Sequence, residues 1–168
     1  MPIVDSLIPE FDHEMATTRK VLERVPEERF DWKPHEKSFS LGVLAKHVAM
    51  LPTWGTETLM RSEIDLVGNN PPTSAASKSE LLDAFDKNVG DARAALAGKS
   101  DAELMAMWSL KRNGKTVFSM PKTTVLRSFV LNHLIHHRAQ LCVYLRLLNV
   151  PVPAIYFNSS DEPEWVFT

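Results

Sequence analysis

Residues 123–149 read TTVLRSFVLNHLIHHRAQLCVYLRLLN. Leu126, Val130, His133, His137, Leu141, Tyr144 and Leu148 recur in this run every three or four residues, the period of one face of an α-helix. Neither Pro nor Gly interrupts it, and Pro151 and Pro153 end it. The spacing predicts the longest helix of the chain, with two imidazoles on its apolar stripe.

Working outward, segment 3–25 sets Ile3, Leu7, Phe11, Met15, Thr18, Leu22 and Val25 on a similar stripe, with Pro9 early in it and Pro26 ending it. Residues 26–39 read as an extended loop. Ser40 is a candidate N-cap for a second helix reaching about residue 64, with Leu41, Leu44, His47, Leu51, Thr58 and Leu59 at helical spacing and a kink expected at Pro52. Residues 67–76 form a Pro/Gly/Asn-rich surface linker. Ser77 and Glu80 make a capping-box pattern ahead of Leu81, Phe85, Val89, Ala92 and Leu96, and Gly98 ends that helix. Ser100 and Glu103 repeat the pattern before a shorter segment, and Asn113-Gly114 between two short runs predicts a β-hairpin. Four amphipathic helices with modest connections predict an all-α four-helix bundle, with a short helix or hairpin inserted before the last helix. Residues 1–168 read as one domain, its C-terminal tail from about 150 to 168 packed on the bundle by its aromatics.

The 168 residues include 19 Lys+Arg and 21 Asp+Glu, a formal charge of −2. That balance argues against a protein that holds nucleic acid by neutralising phosphates. The single cysteine, Cys142, excludes an internal disulfide framework and a CxxC zinc site, and reads as a small buried hydrophobe. The first residues carry no basic leader and no stretch is apolar enough to span a bilayer, so a cytoplasmic protein without membrane partners is expected. No Gly-rich phosphate loop, G-x-S-x-G motif or Ser/His/Asp set appears.

Placement sorts the six histidines. His133 and His137, one turn apart, project from one face about 6 Å apart at Cβ. Two imidazoles on an apolar stripe are either hydrogen-bonded core residues or ligands of a shared ion, which would satisfy both. His47, on the Leu44/Leu51 stripe of the second helix, carries the same two readings. Brought to the last helix in a bundle, it would complete a His₃ site with a position left for water or substrate. His136 lies on the flank, where it either supports the site from a second layer or is exposed. His13 and His35 are expected to be exposed. Glu10 and His13 form one E-x-x-H pair, but a di-iron bundle needs two and further carboxylates. Met50 and Trp54 read as core, or as the lining of a pocket.

SLGVLAKHVAMLPTW (40–54), NHLIHHRAQLCVYLRLLNVPVPAIY (132–156) and the opening ERVPEERFDWKPHEKSFSLG (23–42) resemble the DinB/YfiT-like superfamily, over nearly the whole chain. The resemblance implies an up-down-down-up four-helix bundle. It also implies a divalent ion, often zinc or nickel, held by His47, His133 and His137. Related branches include S-transferases and isomerases that use low-molecular-weight thiols such as bacillithiol or mycothiol, and the family tends to form homodimers. Two departures stand out: Ala139 where the family commonly has Gly, and a YFNSSDE tail where it commonly has a Tyr-Gly-Pro-Ser-Ala-Asp-Glu-like one. Neither touches a ligand, but the altered tail weakens any substrate borrowed from relatives.

Three readings follow. The first is an enzyme with a small-molecule substrate that activates a thiol or water at the ion, as a thiol S-transferase or a hydrolase. The second is a non-catalytic metal-binding or stress-response bundle, in which the ion stabilises the fold or reports metal status. The third has no metal. No catalytic residue beyond the ligands is legible.

Overall fold

The structure is a computed structural model and describes residues 1–69 and 71–164. It is mostly helical, with one small three-stranded sheet. Helix α1 spans Ile3–Glu23. The second helical segment is broken: α2 covers Leu41–Met50, and α3 covers Pro52–Met60 with Pro52 in its first turn, where the missing N–H costs little. Ser40 caps α2 by accepting from the Val43 N–H at 3.4 Å. The loop before α2 packs closely on its first turn. A Cβ on Gly42 would overlap Ser74 Oγ and stand 2.9 Å from Phe30 Cβ, so that position must stay bare.

The expected continuation of this helix to residue 64 is corrected. Glu63–Leu66 is strand β1, paired in parallel with β2 (Met107–Arg112), Glu63 opposite Ser109 and Leu66 opposite Arg112. Strand β3 (Lys115–Pro121) pairs antiparallel with β2 across Asn113 and Gly114, both at positive φ, which is the hairpin expected from the sequence. Asp65 accepts the Gly114 N–H at 2.9 Å and so fastens β1 to the turn.

Helix α4 spans Lys78–Leu96 and α5 spans Asp101–Met105. Ser77 caps α4 through the Glu80 N–H at 3.1 Å, but the Glu80 carboxylate accepts from Ala76 rather than from the cap residue. The Ser100–Glu103 box closes in both directions. The last helical course has three parts: α6 (Lys122–Val125), a π-helical turn over Leu126–Leu131, and α7 (Asn132–Leu147). Asn149 at φ 58 ends it in a Schellman motif, with Val150 N–H on the Leu145 carbonyl at 2.9 Å and Asn149 N–H on Arg146 at 3.0 Å.

One apolar cluster joins α1, α2, α3, α4, the π turn and α7, while Trp108, Leu110 and Val125 form a smaller one between the sheet and the helices. The inward row of α7 is Leu134, Arg138, Leu141 and Leu145. The expected stripe through His133, His137, Tyr144 and Leu148 is therefore corrected: those side chains are half-buried, flanking the core row.

Arg138 is only 2% exposed and ion-pairs at 2.7 Å with Glu14 of α1, itself 6% exposed. The guanidinium also donates to the Glu14 carbonyl and Thr18 Oγ1, each at 3.2 Å, and to the Tyr156 hydroxyl at 2.7 Å. Tyr156 in turn donates to the Glu14 carboxylate at 3.0 Å. This network joins α1, α7 and the tail. Further along, Arg24 pairs with Glu162 at 2.7 Å and Arg146 with Asp161, while Ala154 is buried. Tail residues 165–168 lie outside the described residues.

Removing one partner of a buried pair strands the other charge. Glu14→Ala is expected to lower unfolding free energy by about 3–5 kcal/mol. Glu14→Leu with Arg138→Met should recover most of that loss. Urea midpoints of the single and double variants check both expectations.

Candidate metal centre

His47 comes from the last turn of α2, and His133 and His137 from successive turns at the start of α7. The packing of α2 on α7 turns all three Nε2 atoms toward one point. His133 Nε2 lies 2.9 Å from His137 Nε2 and 3.3 Å from His47 Nε2. The three ligand atoms lie within 4.8 Å of one another, and all three residues are half-buried. Imidazole nitrogens about 2.0–2.1 Å from a tetrahedral ion stand about 3.3–3.4 Å apart, so the observed spacing fits a shared divalent ion with small adjustments.

The remaining ring nitrogens support this orientation. Gln140 Oε1 lies 2.8 Å from His137 Nδ1, and Gln140 Nε2 lies 3.1 Å from His136 Nε2. An amide oxygen only accepts, so His137 carries its proton on Nδ1 and presents the Nε2 lone pair to the centre. His136 is exposed and meets the group indirectly, through Gln140. Gln140 escaped the sequence reading, although a side-chain amide three and four residues beyond two histidines is a legible signal. His133 Nδ1 is buried without a hydrogen bond of ordinary geometry.

Burial is the main cause that lowers the pKa of all three rings. His47 falls to about 4, with His137 and His133 adding like-charge repulsion. His133 is lowered by burial and then by His137, opposed by the Phe129 backbone. His137 is lowered by burial, with Gln140 opposing and His136 adding to the shift. All three are thus neutral at pH 7, the state that binds metal.

The other expected positions divide. His35 is exposed in its loop, as expected. His13 is corrected: it is half-buried, its ring stacked on that of Tyr156 with centroids 6.3 Å apart. Its angle around α1 pointed away from Phe11, but the tail covers that flank. Glu10 pairs with Arg127 at 3.0 Å. Trp54 packs edge-on against Phe129 with centroids 5.2 Å apart, and Met50 lines a small cleft beside His47. Cys142 is half-buried and burial pushes its thiol pKa up, consistent with a packing role. No helix among the described residues is long and apolar enough to cross a membrane.

Fold and site together define a class: largely helical proteins with a small side sheet and a three-imidazole group able to hold a metal ion. The DinB family model matches residues 4–165, and the chain belongs to that family. Two solved structures are similar to it in fold. A DinB-like protein from Bacillus cereus ATCC 10987 shares 21% identity at a TM-score of 0.69, over 90% of this chain and 97% of that one. The DinB-like protein YjoA from Bacillus subtilis shares 18% identity at a TM-score of 0.66, over 87% and 95%. A comparison with curated proteins gives no match.

The depressed histidine pKa values set a pH dependence for metal-free protein. His47 has a folded pKa of about 4 against about 6.5 when unfolded, so between these values the unfolded chain binds more protons. Stability is expected to fall as pH drops from about 6.5 toward about 4. Urea midpoints of chelator-treated protein should show that fall, and His47→Asn should flatten it. An identical slope in the variant would refute the attribution to His47.

Proposed function

We propose that this chain is a divalent-metal-binding protein whose ligands are His47, His133 and His137, and that it is an enzyme activating a thiol or water for transfer to, or hydrolysis of, a small molecule. The observation that carries this reading is the convergence of three neutral Nε2 atoms in a half-buried position, with His137 lining one open cleft and His47 another. Three protein ligands leave a coordination position for a reactant, unlike a closed structural site. A divalent ion in that position lowers the pKa of a thiol or water and makes its conjugate base available near neutral pH.

The protein's own groups do the rest. Gln140 holds the His137 tautomer, and the aromatic rings of Phe39 and Phe129, with centroids 6.3 Å from His47 and 5.7 Å from His133, narrow access of bulk water. Zinc or nickel suits imidazole donors, and a low-molecular-weight thiol is the proposed cosubstrate. The reading extends to a cytoplasmic homodimer whose long helices run in the up-down-down-up order of the family bundle.

Elemental analysis is expected to find about one zinc or nickel per chain in wild type and markedly less in His47→Ala, His133→Ala and His137→Ala. Chelation should abolish conjugation of small thiols to an electrophile panel, or hydrolysis, while leaving far-UV helicity in place. Absence of a stoichiometric ion from wild type would refute the site. No turnover, with unfolding that tracks metal loss, would favour a purely structural ion instead.

A further inference from the structure

A cleft of about 420 Å³ opens beside His137, between the loop preceding α2 and the outer face of α7. Leu44 forms its floor, and Phe39, Val143 and Tyr144 form apolar walls. Phe39 is 41% and Val143 57% exposed, so these walls have no cover of their own. The Tyr144 hydroxyl donates to the Phe39 carbonyl at 3.2 Å, and Trp32 packs edge-on against the Tyr144 ring at 5.5 Å, which fixes the loop to α7 and keeps the cleft open.

Lys37 is the one charged residue lining the cleft, and it has no ion-pair partner among the described residues. The cleft beside His47 differs: its charged lining residue, Lys46, pairs with Glu80 at 3.9 Å. No carboxylate lines the cleft beside His137, so the field at its mouth favours anions.

We infer that the cleft beside His137 binds small organic monoanions: carboxylates with an aromatic or branched aliphatic body, the body lying between Phe39, Val143 and Tyr144 and the carboxylate meeting Lys37. A single unpaired ammonium matches one negative charge, and the apolar walls match a body that gains by leaving water. This deepens the proposed function by naming the substrate class, and it rests on that reading only for which end of the ligand faces the imidazoles. Binding in the cleft stands on its own.

The test uses the full chain and three probes of one shape: 3-phenylpropionate, its neutral amide, and 3-phenylpropylamine. Metal-free protein is titrated first, because a carboxylate would ligate a metal ion directly. Dissociation constants from amide chemical-shift changes are expected to rank carboxylate, amide, amine, with the carboxylate about fivefold tighter than the amide, the order an exposed ion pair supplies. Lys37→Gln should erase the preference while retaining amide binding. Val143→Asp, at an exposed position, should weaken the carboxylate and the amide together with unchanged far-UV helicity.

Equal affinity for the three probes, or a preference that survives Lys37→Gln, overturns the inference. A carboxylate preference seen only with zinc and insensitive to Lys37→Gln also overturns it, while supporting the metal site. A Lys37-dependent preference in a protein that binds no zinc does the reverse: the cleft assignment holds and the metal reading fails.

Discussion

The buried ion pair between Arg138 and Glu14 sets the geometry on which the rest depends. Arg138 stands in the inward row of α7, among leucines, where an unpaired guanidinium would cost several kcal/mol. Its donors find a carboxylate, a carbonyl and a hydroxyl on α1 and a phenol on the tail. Such a pair adds little net stability compared with apolar residues of the same volume. Its directional demand is strict, however: α7 has one rotation about its own axis that satisfies Arg138. His137 is the adjacent residue, so fixing Arg138 on α1 also aims His137 toward α2.

That orientation creates the imidazole group at a cost. Three half-buried rings crowd together, His137 and His133 disfavouring charge on His47 and His137 disfavouring it on His133, and His133 Nδ1 is left without an ordinary hydrogen bond. Evolved interiors seldom keep such an arrangement without compensation. A shared ion accepts the three lone pairs at once and removes the conflict between neighbouring Nε2 atoms, which is why the geometry supports ligation better than packing alone. The same crowding keeps the rings neutral at pH values where an isolated histidine would already be protonated.

Much of this was legible in the sequence where the signal is local. Ser40, Ser77 and Ser100 cap helices, Asn113-Gly114 turns the hairpin, and the last helix stops short of Pro151 and Pro153, each from chemistry contained in a few residues. Strand β1 was not legible because its partner β2 lies more than forty residues away and pairs in parallel, so no turn residue announces it. Four residues following a helix simply extended the helical period. The burial of His13 is not legible for a similar reason: what covers a helix flank is decided by the distant tail. The Arg138–Glu14 pair was invisible because each side chain, read alone, belongs on the surface.

The position of His133 and His137 beside the core row, rather than in it, has a local physical cause. A regular α-helix carries a face from Leu126 through Val130 to His133, His137 and Tyr144. The π turn over Leu126–Leu131 closes its hydrogen bonds one residue later, as in Asn132 N–H to the Arg127 carbonyl, and so absorbs one extra residue. Every position after it slips by one. The face that begins at Leu126 and Val130 therefore continues as Leu134, Arg138, Leu141 and Leu145, which is the row observed to be buried. The slip turns the two histidines about 100° off the core axis, to the half-buried edge facing α2 and the clefts. In an unbroken α-helix the imidazoles would be sealed among leucines, with no route for a ligand. The π turn separates the packing period from the site, placing Arg138 where the fold needs it and the imidazoles where a small molecule can reach them.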